Sequence, residues 1–366
     1  MKILKYAVLA LGMLFPLSAF ADFQYQETTQ ITGGSLMNMM KMASVFSSRA
    51  REQMNAPVVS TVYIQGNRMA RINQYTMEII DLDKETITNV DLQKHTYTQM
   101  TFQQMREAME REMQKAREQQ AKQSGDQSQA ANNVDIQFKI NVRNTGATKQ
   151  LGGLETSESI LTMQMVGTDK TNGQQGAFAM TNDMWLTPSV PGYEEVREFY
   201  KKYALKMGQT FNGSNISQSL MAMHPGMSQG MSDMAKEVEK MKGIPMLQVL
   251  RIGATANGDP LPAASEAPLP ASSGPQTPSA GEIAQRSAAS AIASRLGGFG
   301  LGGFGHKKQQ QQDGSANNAQ ANAAQQQTAS VLMEMQTQMD SFSSAPIDAS
   351  KFAVPAGFKQ IEPQMH

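Results

Sequence analysis

The sequence predicts an α+β protein: an antiparallel sheet covered by amphipathic helices and carrying a disordered low-complexity insertion. Three observations lead there. Val58 to Phe102 reads as consecutive short strands, several apolar stripes recur at helical spacing, and from Gly253 to about Ala329 the composition collapses into Ala, Ser, Pro, Gly and Gln. In the first stretch Val58, Val62 and Ile64 share one face of an extended chain, and Tyr75, Met77 and Ile79 alternate with Thr76 and Glu78. Gly66-Asn67, Asn73-Gln74, Asp83-Lys84-Glu85 and Gln93-Lys94 are turn signals between the runs. Links this short join only antiparallel neighbours, because a parallel crossover needs about a dozen residues. A meander of four or five strands is therefore expected.

The flanking elements follow in order. Lys2 and Lys5 precede an apolar run from Ala7 to Leu17, and Ala19-Phe20-Ala21 closes it with small residues, the pattern of a secretory signal peptide cleaved near Ala21. The run falls short of the ~20 residues of a membrane span, so the mature chain is expected to be exported to the periplasm without a transmembrane segment. Phe23 to Thr32 reads as a first strand. Leu36, Met39, Met40, Ala43, Phe46 and Ala50 form a helical stripe behind Ser35, a suitable cap. After the meander Phe102, Met105, Met109, Met113 and Ala116 mark a charged helix, followed by a Gln/Ser/Ala/Asn link over 119–133. Strands are expected over Val134–Val142, Glu158–Val166 and Ala177–Leu186, separated by Asn144-Thr145-Gly146, Gly152-Gly153 and Asn172-Gly173. Pro191-Gly192 opens a helix in which Tyr193, Val196, Phe199, Tyr200, Tyr203 and Met207 share a face. Met227, Met231, Met234, Val238 and Met241 mark another, stopped by Gly243 and Pro245, and Met246–Ile252 returns to strand. The low-complexity stretch carries too little apolar surface to offset its ordering entropy. Beyond it Val331, Met333 and Met335 alternate with polar residues, so a last strand can rejoin the sheet. The expected division is a leader over 1–21, a folded domain over 22–252, an insertion over 253–329, and a completing strand and tail over 330–366.

Charge and chemistry narrow the function. Removing Lys2 and Lys5 from the 32 basic side chains leaves 30 against 32 acidic ones, a balance that gives no electrostatic footprint for nucleic acid. There is no cysteine, hence no disulfide, thiol nucleophile or thiolate metal site. H-E-x-x-H does not occur; Gly298, Gly300 and Gly303 fit G-x-G-x-x-G only within GGFG repeats, with no strand before them. His95 at a strand start reads as a turn residue, and Asp81 and Asp83 as hairpin-turn carboxylates. An enzyme is the least favoured class, and no cofactor is expected.

Methionine is the outlier, with 29 of 366 residues. Met221, Met223, His224 and Met227 lie close together, and thioether with imidazole suits Cu(I). The plainer reading is that unbranched, polarizable Met fills irregular cores and adaptable apolar surfaces. Spacing favours the second, because the stripe through Met227, Met231, Met234 and Met241 includes Val238, which has no ligating atom. A copper-handling protein and a structural module of the envelope remain the alternatives from other classes.

Three phrases carry a resemblance: Trp185 with Pro191-Gly192-Tyr193 and a Phe/Tyr helix, Lys242-Gly243-Ile244-Pro245 before a strand, and Asp348–Phe352 followed by Val354-Pro355-Ala356-Gly357-Phe358. With the element order behind a leader, they make the chain resemble the periplasmic lipoprotein-carrier (Lol-type) superfamily over most of 23–252 and the last thirty-odd residues. The resemblance implies a curved half-barrel whose concave face, lidded by helices, receives a hydrophobic ligand, a lipid or a lipoprotein's acyl group. Ligand-facing positions are then expected on the helices: Met39, Met40 and Phe46; Met105, Met109 and Met113; Val196, Phe199 and Tyr203; Met231 and Met234. No binding residue of the family is carried over.

Overall fold

The computed structural model of the chain describes residues 22–35, 56–123, 134–170, 173, 175–211, 236–237, 240–255, 258–269 and 329–362. The expected leader over 1–21, the expected helix over 36–50, nearly all of that over 227–241 and the low-complexity residues 270–328 lie outside them. The described residues form one large, curved, unclosed sheet of twelve strands with two long helices, an α+β arrangement. The strands are β1 (Phe23–Gly33), β2 (Val58–Gln65), β3 (Arg68–Ile72), β4 (Thr76–Asp81), β5 (Thr86–Asp91), β6 (Thr96–Thr101), β7 (Val134–Leu151), β8 (Leu154–Asp169), β9 (Gln175–Thr187), β10 (Ile244–Thr255), β11 (Ala329–Ser343) and β12 (Lys359–Gln360). The helices are α1 (Phe102–Gln123) and α2 (Glu194–Phe211). No described helix is long and apolar enough to cross a membrane.

Strand order is β12-β6-β5-β4-β3-β2-β1-β11-β10-β9-β8-β7. Two sequential meanders, β1–β6 and β7–β10, are thus joined edge to edge by β11, which pairs antiparallel with β1 on one side and β10 on the other. The two-residue β12 adds the one parallel pairing among the described residues, against β6.

Local chemistry explains the first meander. Asp81 Oδ1 accepts the amides of Asp83 and Lys84, and Asp91 Oδ1, ten positions on, accepts those of Gln93 and Lys94. These Asx turns are followed by Glu85 and His95 at φ near +50°, a conformation that lets the chain reverse. The amides hold the Asp91 carboxyl below the usual carboxylate range, Lys94 leading. His95 rests its ring near Phe358.

On the near face of the sheet, α2 buries Val196 and Phe199 against Phe23, Tyr25, Val62 and Ile64. Phe23 meets Tyr193 edge-on at 5.9 Å, and Phe102 at the start of α1 meets Tyr203 at 5.8 Å. Gly192, at φ +84°, admits this contact: a Cβ there would lie 2.6 Å from Ser344 Oγ and 3.0 Å from the Phe23 ring. On the far face the segment after β11 lays Ile347, Phe352, Val354 and Phe358 over Ala70, Met77, Ile79 and Val90.

Three local expectations need correction. Asn144-Thr145-Gly146 does not end a strand; β7 continues through it, its register with β8 slipping between Asn144 and Thr148. Thr145 Oγ1 donates to Glu158 Oε2 there, so the extra residues stay anchored. Strand β10 runs to Thr255 rather than Ile252. Residues 258–269, expected in the insertion, instead form a strap across the far face of β8–β11, with Leu261 and Ala263 buried. Composition hides the strap because polar sheet residues hold its backbone: Gln164 donates to Gly258 O, Thr181 to Leu261 O, and Arg251 to Pro262 O and Ala263 O.

Asp183 Oδ2 also holds the strap, accepting the Ser265 amide at 3.0 Å. Its carboxyl faces that of Glu158, both are buried, and neither Asp183 Oδ1 nor Glu158 Oε1 has a hydrogen-bond partner among the described residues. Burial, and then the Glu158 charge, push the Asp183 carboxyl above its ordinary value. A folded pKa above the unfolded one means stability fully present below the unfolded pKa and lost as pH rises through the folded one. Asp183→Asn keeps an acceptor for Ser265 and gives Glu158 a donor. It should stabilise the fold at neutral pH by about 1 kcal/mol, the net value of a hydrogen bond, and lose that advantage as pH falls through the Asp183 titration. Denaturation at several pH values tests this; a constant difference would remove Asp183 as its source.

Candidate functional site

Where α2 ends its cover, the near face continues as an apolar expanse across β1, β11, β10, β9, β8 and β7. Cross-strand register defines its rows. Ile31, Met335, Leu250, Asn182, Leu161 and Val142 are successive neighbours across the six strands. The next row is Met333, Ile252, Met180, Met163 and Ile140, and beyond it lie Phe178, Met165 and Phe138. Leu161 and Val142 are buried, Phe178 is 38% exposed, and the other apolar members are half-buried. Strand alternation produces the surface: each of these residues sits two positions from the next along its strand. Within the first two rows Asn182 alone is polar. Its Nδ2 donates to Gln248 Oε1 at 3.0 Å, and its Oδ1 is buried without a donor among the described residues.

Toward α2 the near face turns polar. Arg71 lies 3.4 Å from both Glu27 and Glu78, beneath Tyr25 and Tyr200. Burial raises all three neighbouring phenols, Tyr193 to about 12 and Tyr25 far above its ordinary value, with Tyr200 the next contributor to these two, while the Arg71 charge partly offsets the rise at Tyr200. At neutral pH these hydroxyls keep their protons and serve as donors, not as bases or nucleophiles.

The sequence-derived positions fall differently. Met39, Met40, Phe46, Met231 and Met234 lie outside the described residues, as do Met221, Met223, His224 and Met227. Val196 and Phe199 are 1% and 0% exposed and belong to the packed core under α2, while Tyr203 packs at its edge. On α1 the buried residues are Phe102 and Ala108; Met105 and Met113 are half-buried, and Met109 is 45% exposed. Among the described side chains of this 22-residue helix the buried ones lie in its first two turns, so a stripe read as one continuous face divides along its length. The helix positions named from the sequence leave out the residues of the sheet face itself, which the helices were expected to lid. Its signal was present in the alternation of Leu161, Met163 and Met165 and of Met333 and Met335. Among the described residues no three His, Asp or Glu side chains converge as a metal site.

No known protein-family model matches the chain, and no curated protein matches it significantly.

Proposed function

We propose that the chain is an exported, non-enzymatic binding protein. The open sheet works as a half-barrel whose near face is concave, with amphipathic helices as lids, and an acyl chain or other hydrophobic ligand lies along the apolar rows. One observation supports this above the rest: a contiguous, Met-rich apolar face spanning six strands, left half-buried while the neighbouring face under α2 is fully packed. Soluble proteins seldom leave an apolar patch of this extent without a partner for it. Burying it against a hydrocarbon gains ~25 cal/mol per Å2 of apolar surface, and unbranched Met side chains adapt to chains of differing shape. The unpartnered Asn182 Oδ1 offers an acceptor to a ligand hydroxyl.

Native mass spectrometry and solvent extraction of protein purified from cells expressing residues 1–366 should recover a lipid. Phe178→Asp and Met180→Glu place a carboxylate against the hydrocarbon and should weaken binding of a fluorescent fatty acid by about tenfold or more. Met109→Asp, on the exposed side of α1, should leave it unchanged. Protein that is repeatedly empty, with the fatty acid bound equally by all four forms or by none, would remove the reading.

A further inference from the structure

The outer edge of β7 ends the sheet among the described residues, and its polarity is known. Val142 donates its amide to Glu237 Oε2 at 2.9 Å rather than to β8. By the alternation of an antiparallel ladder, Ile140, Phe138 and Ile136 also direct both backbone groups away from β8. No strand pairs with this edge among the described residues. Proteins guard such edges with proline, bulges, charged side chains or a covering helix or loop; Val134–Ile140 has no proline, its register with β8 is unbroken up to Asn144, and its two charges are of opposite sign. Asp135 and Lys139, the two charged residues of the segment, are exposed on the far face and make no ion pair among the described residues.

We propose that two copies of the chain join through this edge, β7 against β7, antiparallel about a two-fold axis at Gln137. In that register Asp135 of each copy stands opposite Lys139 of the other on the far face. Ile136 stands opposite Phe138 on the near face, and their outward amides and carbonyls meet as hydrogen-bonded pairs. The neighbouring registers are poorer: an axis at Phe138 puts Lys139 against Gln137 and leaves Asp135 opposite Asn141, and an axis at Lys139 sets that charge against itself. The chosen register also ends before Val142 and Arg143, whose amide and guanidinium are already taken by Glu237 and Glu266. Pairing of one patch with itself is the isologous contact of a two-fold dimer. It carries the apolar rows of one sheet across the seam into those of the other, so each copy supplies Phe138 and Ile136 to the margin of its partner's apolar face. This interface does not depend on what that face binds.

Sedimentation velocity over a concentration series, with protein purified from cells expressing residues 1–366, tests the proposal. The wild type should pass from monomer to dimer as concentration rises. Asp135→Lys and Lys139→Asp each turn two attractive cross-strand pairs into repulsive ones and should raise the dissociation constant about tenfold or more. The double variant Asp135→Lys/Lys139→Asp restores opposite charges in exchanged positions and should return to within about threefold of wild type. Circular dichroism of all four forms should coincide, since both residues are exposed. A wild type that stays monomeric, a dimer indifferent to the single reversals, or a double variant as weak as the singles would each overturn it.

Discussion

Ending the chain at Leu269 should abolish the fold, whereas excising residues 275–323 should leave it standing. Strand β11 holds the middle of the sheet and is the one strand among the described residues that hydrogen-bonds both meanders. Without it β1 and β10 become two long bare edges, Met339 leaves the core under α2, and Ile347 and Phe352 no longer cover the far face. Exposed strand edges of this length are aggregation templates, so the truncated chain should be recovered insoluble or without a cooperative transition. The internal excision removes none of those contacts. Leu269 at the end of the strap lies beside Gly33, which pairs with Glu334 of β11. The roughly ten residues left between strap and strand reach ~33 Å when extended. Closing a shorter loop costs less, by ~0.6 kcal/mol per halving of length, so the excised form should match or exceed wild-type stability by about 1–2 kcal/mol in urea denaturation. Equal behaviour of the two shortened chains would mean that β11 does not hold the halves together.

The second large effect is expected at Arg251. This guanidinium is 1% exposed, bonds Glu334 Oε2 through Nε at 2.7 Å, and donates to the strap carbonyls of Pro262 and Ala263 at 2.9 Å. Thr32 Oγ1 donates to the other carboxylate oxygen of Glu334 at 2.7 Å. Arg251→Met leaves the buried Glu334 carboxylate without its countercharge, held by the Thr32 hydroxyl, and takes a donor from the Pro262 carbonyl, while Ala263 O keeps the amides of Glu266 and Ala267; it should lose about 3–5 kcal/mol. Arg251→Met/Glu334→Leu removes both charges and should lie closer to wild type than the first change alone, a coupling that a double-mutant cycle measures. Limited proteolysis should cut Arg251→Met between residues 258 and 269 before wild type is touched there. A loss below 1 kcal/mol, or an unprotected strap in wild type, would show that the ion pair does not fasten it.

Much of the sheet was legible because its signals are local. Asp81 and Asp91 announce turns that their own side chains then close, and Thr86–Asp91 and Thr96–Thr101 alternate within a single hairpin. The open α+β arrangement follows from such pieces. Partnership at a distance left no such mark: nothing in Val331-Leu332-Met333 says that it sits between β1 and β10. The strap was hidden for the opposite reason, because Pro-, Ala- and Ser-rich sequence looks unfoldable until Thr181, Gln164 and Arg251 are seen bonding its carbonyls. The residues of the apolar rows were passed over for a third reason. Stripes at helical spacing are conspicuous, but a stripe shows only that a face is apolar. Val196 and Phe199 use theirs for the core, and the surface left over belongs to strands whose alternation carries methionine on one side and Ser, Thr, Gln or Arg on the other.

The hydroxyls of Thr29 and Thr337 lie 3.3 Å apart across β1 and β11, yet 308 positions separate them in the chain. A ribosome adding ~5–20 residues per second therefore leaves β1 waiting some fifteen seconds to a minute for its neighbour. During that interval β2–β6 and β7–β10 can complete their own hairpins, each needing only nearby partners, while the flanks of β1 and β10 stay open. Strand β11 thus acts as a completion check: the two meanders become a single body only after residues 329–343 have been made.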